Sequence, residues 1–100
     1  MYLNKEQILQ IGNFFRDKPV NKVFLFGSYA TGSADNLSDI DLLIEPQNDF
    51  NFLQFQIQIE GLERIMGKKI DAVTSGALRP DRLFTKYVLQ QKIAVYERND

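Results

Sequence analysis

The sequence predicts an α+β (mixed α/β) fold, a mixed sheet of about four strands with helices packed on it. Three observations lead there. Short apolar runs end at Phe26, Ile44, Thr74 and Tyr96. Glycine or proline bounds several of them. Longer segments between them carry apolar residues at helical spacing. The order is helix, strand, turn, strand, helix, strand, helix, strand.

The first helix starts after Asn4, which can cap it while Gln7 reaches back in the spacing of a capping box. Leu3 and Ile8 sit where a hydrophobic staple would be, and Ile8, Ile11 and Phe15 give one apolar face. Gly12 weakens this helix, and Asp17, Lys18 and Pro19 end it. Val20 to Phe26 reads as a strand. Its end, Val23-Phe24-Leu25-Phe26, is apolar without alternation, as expected of a strand covered on both faces. Gly27 stops it. Ser28 to Asn36 is small and polar, a turn with room for one short helix.

Ile40 to Ile44 is the second strand, and Pro46 terminates it. Asp49 to Met66 fits two patterns. Leu53, Phe55, Ile57 and Ile59 alternate with glutamines as in a strand, whereas Phe55, Ile59, Leu62 and Met66 fit a helix. Strands of that length are rare, so a helix capped by Gly67 is expected. Ile70 to Thr74 is a third strand. Pro80 is placed in the first turn of a last helix with Leu83, Phe84, Tyr87 and Val88 as its apolar face. Ile93 to Tyr96 closes the chain as a short strand.

Composition narrows the chemistry. The chain has 100 residues, 44% hydrophobic and 25% charged, a globular mix that suits one domain over residues 1–100. A net charge of -1 argues against broad binding of nucleic acid, which favours basic proteins. With no cysteine and no histidine, thiolate and ordinary zinc chemistry are excluded. Acid–base or metal work must fall to carboxylates, whose oxygens suit Mg²⁺ or Mn²⁺. No apolar run approaches a membrane span, and the amino-terminal ten residues lack a signal-peptide core, so a cytoplasmic location without membrane partners is expected.

Ser38-Asp39-Ile40-Asp41-Leu42-Leu43-Ile44 is the most informative segment. On a strand, Asp39 and Asp41 share a face with Cα atoms roughly 6.5–7 Å apart. Two like charges on an apolar strand repel unless a cation lies between them. The alternative is a solvated pair in the loop before the strand. Upstream, Gly27 directly follows a buried strand, where a backbone can approach a phosphate closely. If Ser28 opens a helix, the helix's positive end and the Ser28 hydroxyl face the same anion. Together the two segments describe a phosphate cradle opposite a metal site.

Phe26-Gly27-Ser28-Tyr29-Ala30-Thr31-Gly32 followed by Ser38-Asp39-Ile40-Asp41-Leu42-Leu43-Ile44-Glu45 resembles the signature of the DNA polymerase β-like nucleotidyltransferases, in particular their minimal nucleotidyltransferase (MNT) branch. The resemblance implies that fold in a single minimal domain. It implies that Gly27 and Ser28 bind the triphosphate, that Asp39 and Asp41 hold metal, and that Asp71 is the third carboxylate. It further implies two Mg²⁺ ions, with Mn²⁺ as an alternative, and a nucleoside triphosphate, ATP, as substrate. For this branch it implies transfer of AMP to a hydroxyl of a helical HEPN-type partner protein, as the antitoxin of a toxin–antitoxin pair.

The chain departs from the pattern at Thr31, where many relatives carry arginine; threonine cannot supply that charge. Lys22, Lys68, Lys69 and Arg79 are candidate substitutes. The competing reading is a catalytically weak module that neutralises a partner by binding alone. Transfer to a small molecule is a third, disfavoured by the short chain.

Overall fold

The computed structural model describes residues 1–99. Its elements are α1 (Lys5–Phe15), β1 (Val20–Phe26), α2 (Ser28–Thr31), β2 (Ile40–Pro46), α3 (Phe52–Met66), β3 (Ile70–Thr74), a 3₁₀ turn (Ser75–Ala77), α4 (Leu83–Gln91) and β4 (Ile93–Glu97). The strands form one mixed sheet in the order β3-β2-β1-β4. β1 runs antiparallel to β2 and β4, and β2 runs parallel to β3.

Local sequence accounts for most boundaries. The capping box at α1 is present: the Gln7 N–H donates to Asn4 Oδ1 at 2.8 Å and the Asn4 N–H to Gln7 Oε1 at 2.9 Å. α3 is a helix, and Gly67 closes it in the left-handed conformation at φ 67°. It starts at Phe52, three residues later than Asp49, because Asn51 caps it by accepting from the Gln54 N–H at 2.9 Å.

The sheet is covered on both faces, as the unbroken apolar run of β1 requires. Val23 and Leu25 of β1 join Ile40, Leu42 and Ile44 of β2 beneath Ile11 and Phe15 of α1 and Phe55, Ile59 and Leu62 of α3. Phe24, Phe26 and Leu43 point the other way, toward Val88 of α4. A register shift between Val20 and Lys22 lets Val20 rejoin the first face. Gly12, a weakness in an isolated helix, has a packing role. A Cβ there would stand 3.1 Å from the Val95 carbonyl oxygen, so α1 lies close against β4.

Two expectations are corrected. Pro80 is not in α4; it sits in a turn closed by the Arg82 N–H to the Arg79 carbonyl at 3.1 Å, with proline at the position such turns favour. Nor is Leu83, Phe84, Tyr87, Val88 the buried face of α4. Only Thr85 and Val88 are buried, while Leu83, Phe84 and Tyr87 are exposed. Tyr29 is buried, Tyr2 is exposed, and Phe50 packs against Phe55 with ring centroids 4.8 Å apart. No helix among the described residues is long and apolar enough to cross a membrane.

Candidate active site

The site begins where β1 ends. Gly27 has φ 75° and ψ -154°, a conformation nearly confined to glycine. Space forbids a side chain as well. A Cβ on Gly27 would fall 2.1 Å from Oδ2 of Asp41. The backbone at Gly27 therefore lies directly against that carboxylate. Ser28 then opens α2, whose first bonds run from the Ala30 and Thr31 N–H groups back to the Gly27 carbonyl at 3.0 and 3.1 Å. The earliest amides of any helix lack partners within it, so those of Ser28 and Tyr29 face outward at this turn.

Strand register assembles the carboxylates. Asp41 lies opposite Phe26 across the β1–β2 pair and beside Asp71 across the β2–β3 pair. Neighbouring strands are about 4.8 Å apart, so Asp41 and Asp71 are close lateral neighbours although separated by thirty residues of sequence. Asp39 stands one residue before the strand and is exposed; Asp71, within β3, is also exposed, and Asp41 is partly buried. The loop reading thus holds for Asp39 and the strand reading for Asp41. The electrostatics follow from this placement. Burial first, then the charges of Asp71 and Asp39, push the Asp41 carboxyl up to about 6. The D-x-D spacing pointed to Asp39 as the repelling charge, whereas burial and Asp71 across the strand pair act more strongly on Asp41.

The donor set is all oxygen, which suits Mg²⁺. Among the described residues no group of three acidic side chains forms a ready metal cage. That is consistent with how Mg²⁺ is commonly held, by one or two carboxylates plus the phosphates of the substrate. The Asp41 and Asp71 carboxylates fit the ion on these terms.

Sequence reasoning missed the parts that brace this site. Glu63 of α3 accepts from the Ile70 N–H at 2.8 Å and so anchors the start of β3, one residue before Asp71. The Ile40 N–H donates to the Lys69 carbonyl at 3.0 Å and fixes the start of β2. The Met1 ammonium donates to the carbonyls of Gly32 and Ala34 at 2.6 and 2.8 Å, behind α2. Nothing local in the sequence signals any of these long-range bonds. Phe26 was legible as core, but its place beside Asp41 was not.

Of the four cations considered in place of an arginine at position 31, Lys68 lies by the loop that leads to Asp39. It donates to the Asn36 carbonyl at 3.1 Å and stands over the Tyr29 ring. Lys22 is paired in register with Glu45 and Glu97, toward the opposite end of β1. Arg79 lies in the turn before α4, and Lys69 is exposed. A groove of about 680 Å³ lies between α1 and β4, but it is on the other face of the sheet and away from the carboxylates. The chemistry, not the depth of the groove, locates the site.

Thr31 is exposed, and its hydroxyl lies 2.9 Å from that of Ser33. Thr31→Arg should therefore fold with a stability change within about 0.5 kcal/mol, as for most exposed substitutions. Chemical denaturation checks this, and a collapsed midpoint would mean that the loop depends on that hydroxyl.

Comparison with known proteins places the fold. The family model described as "Polymerase beta, Nucleotidyltransferase" matches residues 9–100. A Methanocaldococcus jannaschii protein with the provisional name protein adenylyltransferase is 36% identical over 77 residues, covering 74% of this chain and 77% of its own. Protein adenylyltransferase MntA of Thermococcus cleftensis is 32% identical over 76 residues, covering 76% of this chain and 75% of its own. Among solved structures, a toxin–antitoxin complex with AMP-PNP superposes with a TM-score of 0.75 at 20% identity, over 97% of this chain and 76% of that one. A Shewanella oneidensis complex of a tri-AMPylated HEPN toxin with its MNT antitoxin gives 0.72 at 16% identity, over 96% and 74%. At these identities the two structures share the fold. This chain belongs to the polymerase beta nucleotidyltransferase family.

Proposed function

We propose that this chain, as one minimal domain, is a Mg²⁺-dependent protein adenylyltransferase. It takes AMP from ATP and transfers it to a hydroxyl of a HEPN-type partner, in the manner of an antitoxin. The observation that carries the reading is the register of Asp41 beside Asp71, with the Gly27 backbone pressed against the Asp41 carboxylate. The names of the adenylyltransferase relatives, and the AMPylated toxin in the Shewanella complex, support AMP as the group moved and a HEPN protein as its acceptor.

Asp39 and Asp41, with Asp71, would hold a pair of Mg²⁺ ions. When bound, these supply charge neutralisation at the phosphates and a lower pKa for the acceptor hydroxyl. The chain's own groups do the rest. Gly27 leaves room for a phosphate beside Asp41, and the Ser28 hydroxyl and the first amides of α2 donate to its oxygens. Asp71, exposed at the sheet edge, takes the proton of the acceptor hydroxyl. The hydroxyl oxygen bonds to the α-phosphorus as the bond from that phosphorus to the departing oxygen breaks, and pyrophosphate leaves with the electron pair. The substitution of Thr31 for arginine favours the competing reading, a module that acts by contact alone. Incubation with labelled ATP, Mg²⁺ and the product of the neighbouring reading frame separates them. Covalent label on the partner is expected, and complex formation without label would sink the transfer reading.

A second test concerns the ligands. Mg²⁺ and ATP together should raise the melting temperature more than either alone, because each completes the other's site and binds only the folded chain. Thermal melts that show no extra shift at saturating concentrations of both would count against a shared metal–triphosphate site.

A further inference from the structure

α4 turns Thr85 and Val88 into the molecule. Among the described residues, the buried side-chain polar atoms without a hydrogen-bond partner are Thr85 Oγ1 and Gln91 Oε1, and both belong to this helix. Its large apolar residues face solvent: Leu83 is 81% exposed, Phe84 51% and Tyr87 44%. At about 3.6 residues per turn these three fall in one sector of roughly 100°. A helix this short gains its stability from burying its apolar stripe, and here much of that stripe is left in solvent.

Position and charge indicate what covers it. Phe84 meets Phe26 edge to face, with ring centroids 6.0 Å apart. Phe26 is the cross-strand partner of Asp41. The apolar patch therefore starts beside the carboxylates and extends outward over α4. Arg82 and Lys86 flank its other side by helical phase. Among the described residues neither is in an ion pair. Residues 79–92 carry four cations, Arg79, Arg82, Lys86 and Lys92, against the single anion Asp81. A second copy of this chain fits poorly, since a two-fold contact through α4 would set Arg82 and Lys86 against their own images. A partner with an apolar centre and a carboxylate rim is complementary.

We propose that the Leu83–Phe84–Tyr87 face of α4 docks the acceptor protein, through an apolar patch rimmed by carboxylates on that protein, and so brings its hydroxyl to Asp41 and Asp71. This rests on the transfer reading only for the identity of the partner as acceptor. The docking itself is judged by binding without nucleotide.

The probe is a HEPN-type protein, titrated against wild type, the double variant Arg82→Glu/Lys86→Glu and, separately, Leu83→Glu. All three positions are exposed, so the fold should be kept, and an unchanged melting shift with Mg²⁺ and ATP verifies it. Each variant should raise Kd by about 10-fold or more. Transfer should show the same rise in KM for the partner, with kcat at saturation within about twofold. If wild type binds the partner but transfers nothing, the transfer reading fails, and the variants' Kd values still decide the docking proposal. Unchanged Kd in both variants overturns it, as does a wild type that binds no such partner. A dimer of this chain that Leu83→Glu dissolves would assign the face to a second copy. Sedimentation with phosphatidylserine vesicles, lost in Arg82→Glu/Lys86→Glu, would assign it to lipid. Either result would also overturn the proposal.

Discussion

Asp41→Asn should abolish nucleotide transfer while making the unliganded protein more stable at neutral pH. Asparagine keeps the shape of the side chain but removes the charge that would hold a cation at the phosphates. A loss on the order of 10³-fold in rate is expected when such a preorganised electrostatic group is removed. Stability should move the other way because the carboxylate is partly buried and faces Asp71 and Asp39. The full shift is reduced by water around a side chain that is only partly covered, which leaves a gain of about 1 kcal/mol.

The sign of the pH dependence follows from linkage. The carboxyl titrates at about 6 in the fold against an ordinary 3.8. Between those values the folded chain keeps a proton that the unfolded chain has lost, so this group's contribution to stability falls as pH rises through that window. Above about 6 both states are ionised and the penalty is complete; below 3.8 both are protonated and it is absent. The stability difference between Asp41→Asn and wild type should therefore be largest above that upper pKa and vanish in acid. Urea titrations across the range measure it, and a difference independent of pH would mean that the carboxylate cluster is not in contact as described. Asp71→Asn should reduce transfer with less effect on triphosphate binding, since its proposed task concerns the acceptor hydroxyl.

Gly27→Ala should damage activity more than folding. Two separate effects act at this position. The backbone at φ 75° and ψ -154° disfavours any side chain, at a cost of about 1–3 kcal/mol. The new methyl group would also stand 2.1 Å from Asp41 Oδ2, a contact that cannot persist. The atom it meets is the end of a side chain, so the carboxylate can rotate away and the fold can survive. The catalytic geometry cannot survive in the same way, because a displacement of about 1 Å at a reacting centre is enough to cost about 10²-fold in rate. A Gly27→Ala/Asp41→Ala double variant isolates the clash. It removes the contact but not the backbone strain, so the two single-variant stability changes should fail to add. Strict additivity would show that the clash contributes nothing and that strain alone accounts for the loss.

Much of this molecule is legible in the sequence because its signals are local. The Asn4–Gln7 capping box, the left-handed glycine after α3, the four strands and the Gly27-Ser28 turn each depend on residues within a few positions of one another. Local sterics and hydrogen bonding set them before the chain is packed. Both faces of β1 could be read as covered, since an unbroken apolar run has no face to spare for water. The D-x-D spacing marked Asp41 as a carboxylate on an apolar strand, but Asp39 lies in the loop before it and is the weakest of the influences on Asp41.

Tertiary structure decided the rest, and for a common reason: each remaining feature depends on residues far apart in sequence. Asp71 becomes the neighbour of Asp41 through the register of a parallel strand pair, which no local pattern fixes. The Gly27 backbone meets Asp41 only because β1 and β2 lie side by side. Gly12, a flaw by helix propensity, becomes the point where α1 approaches β4. α4 shows the limit most clearly. Its periodicity identifies a helix, but periodicity alone does not say which side a protein will bury. The sheet surface formed by Phe24, Phe26 and Leu43 takes Val88 and Thr85, and leaves Leu83, Phe84 and Tyr87 facing outward beside the carboxylates.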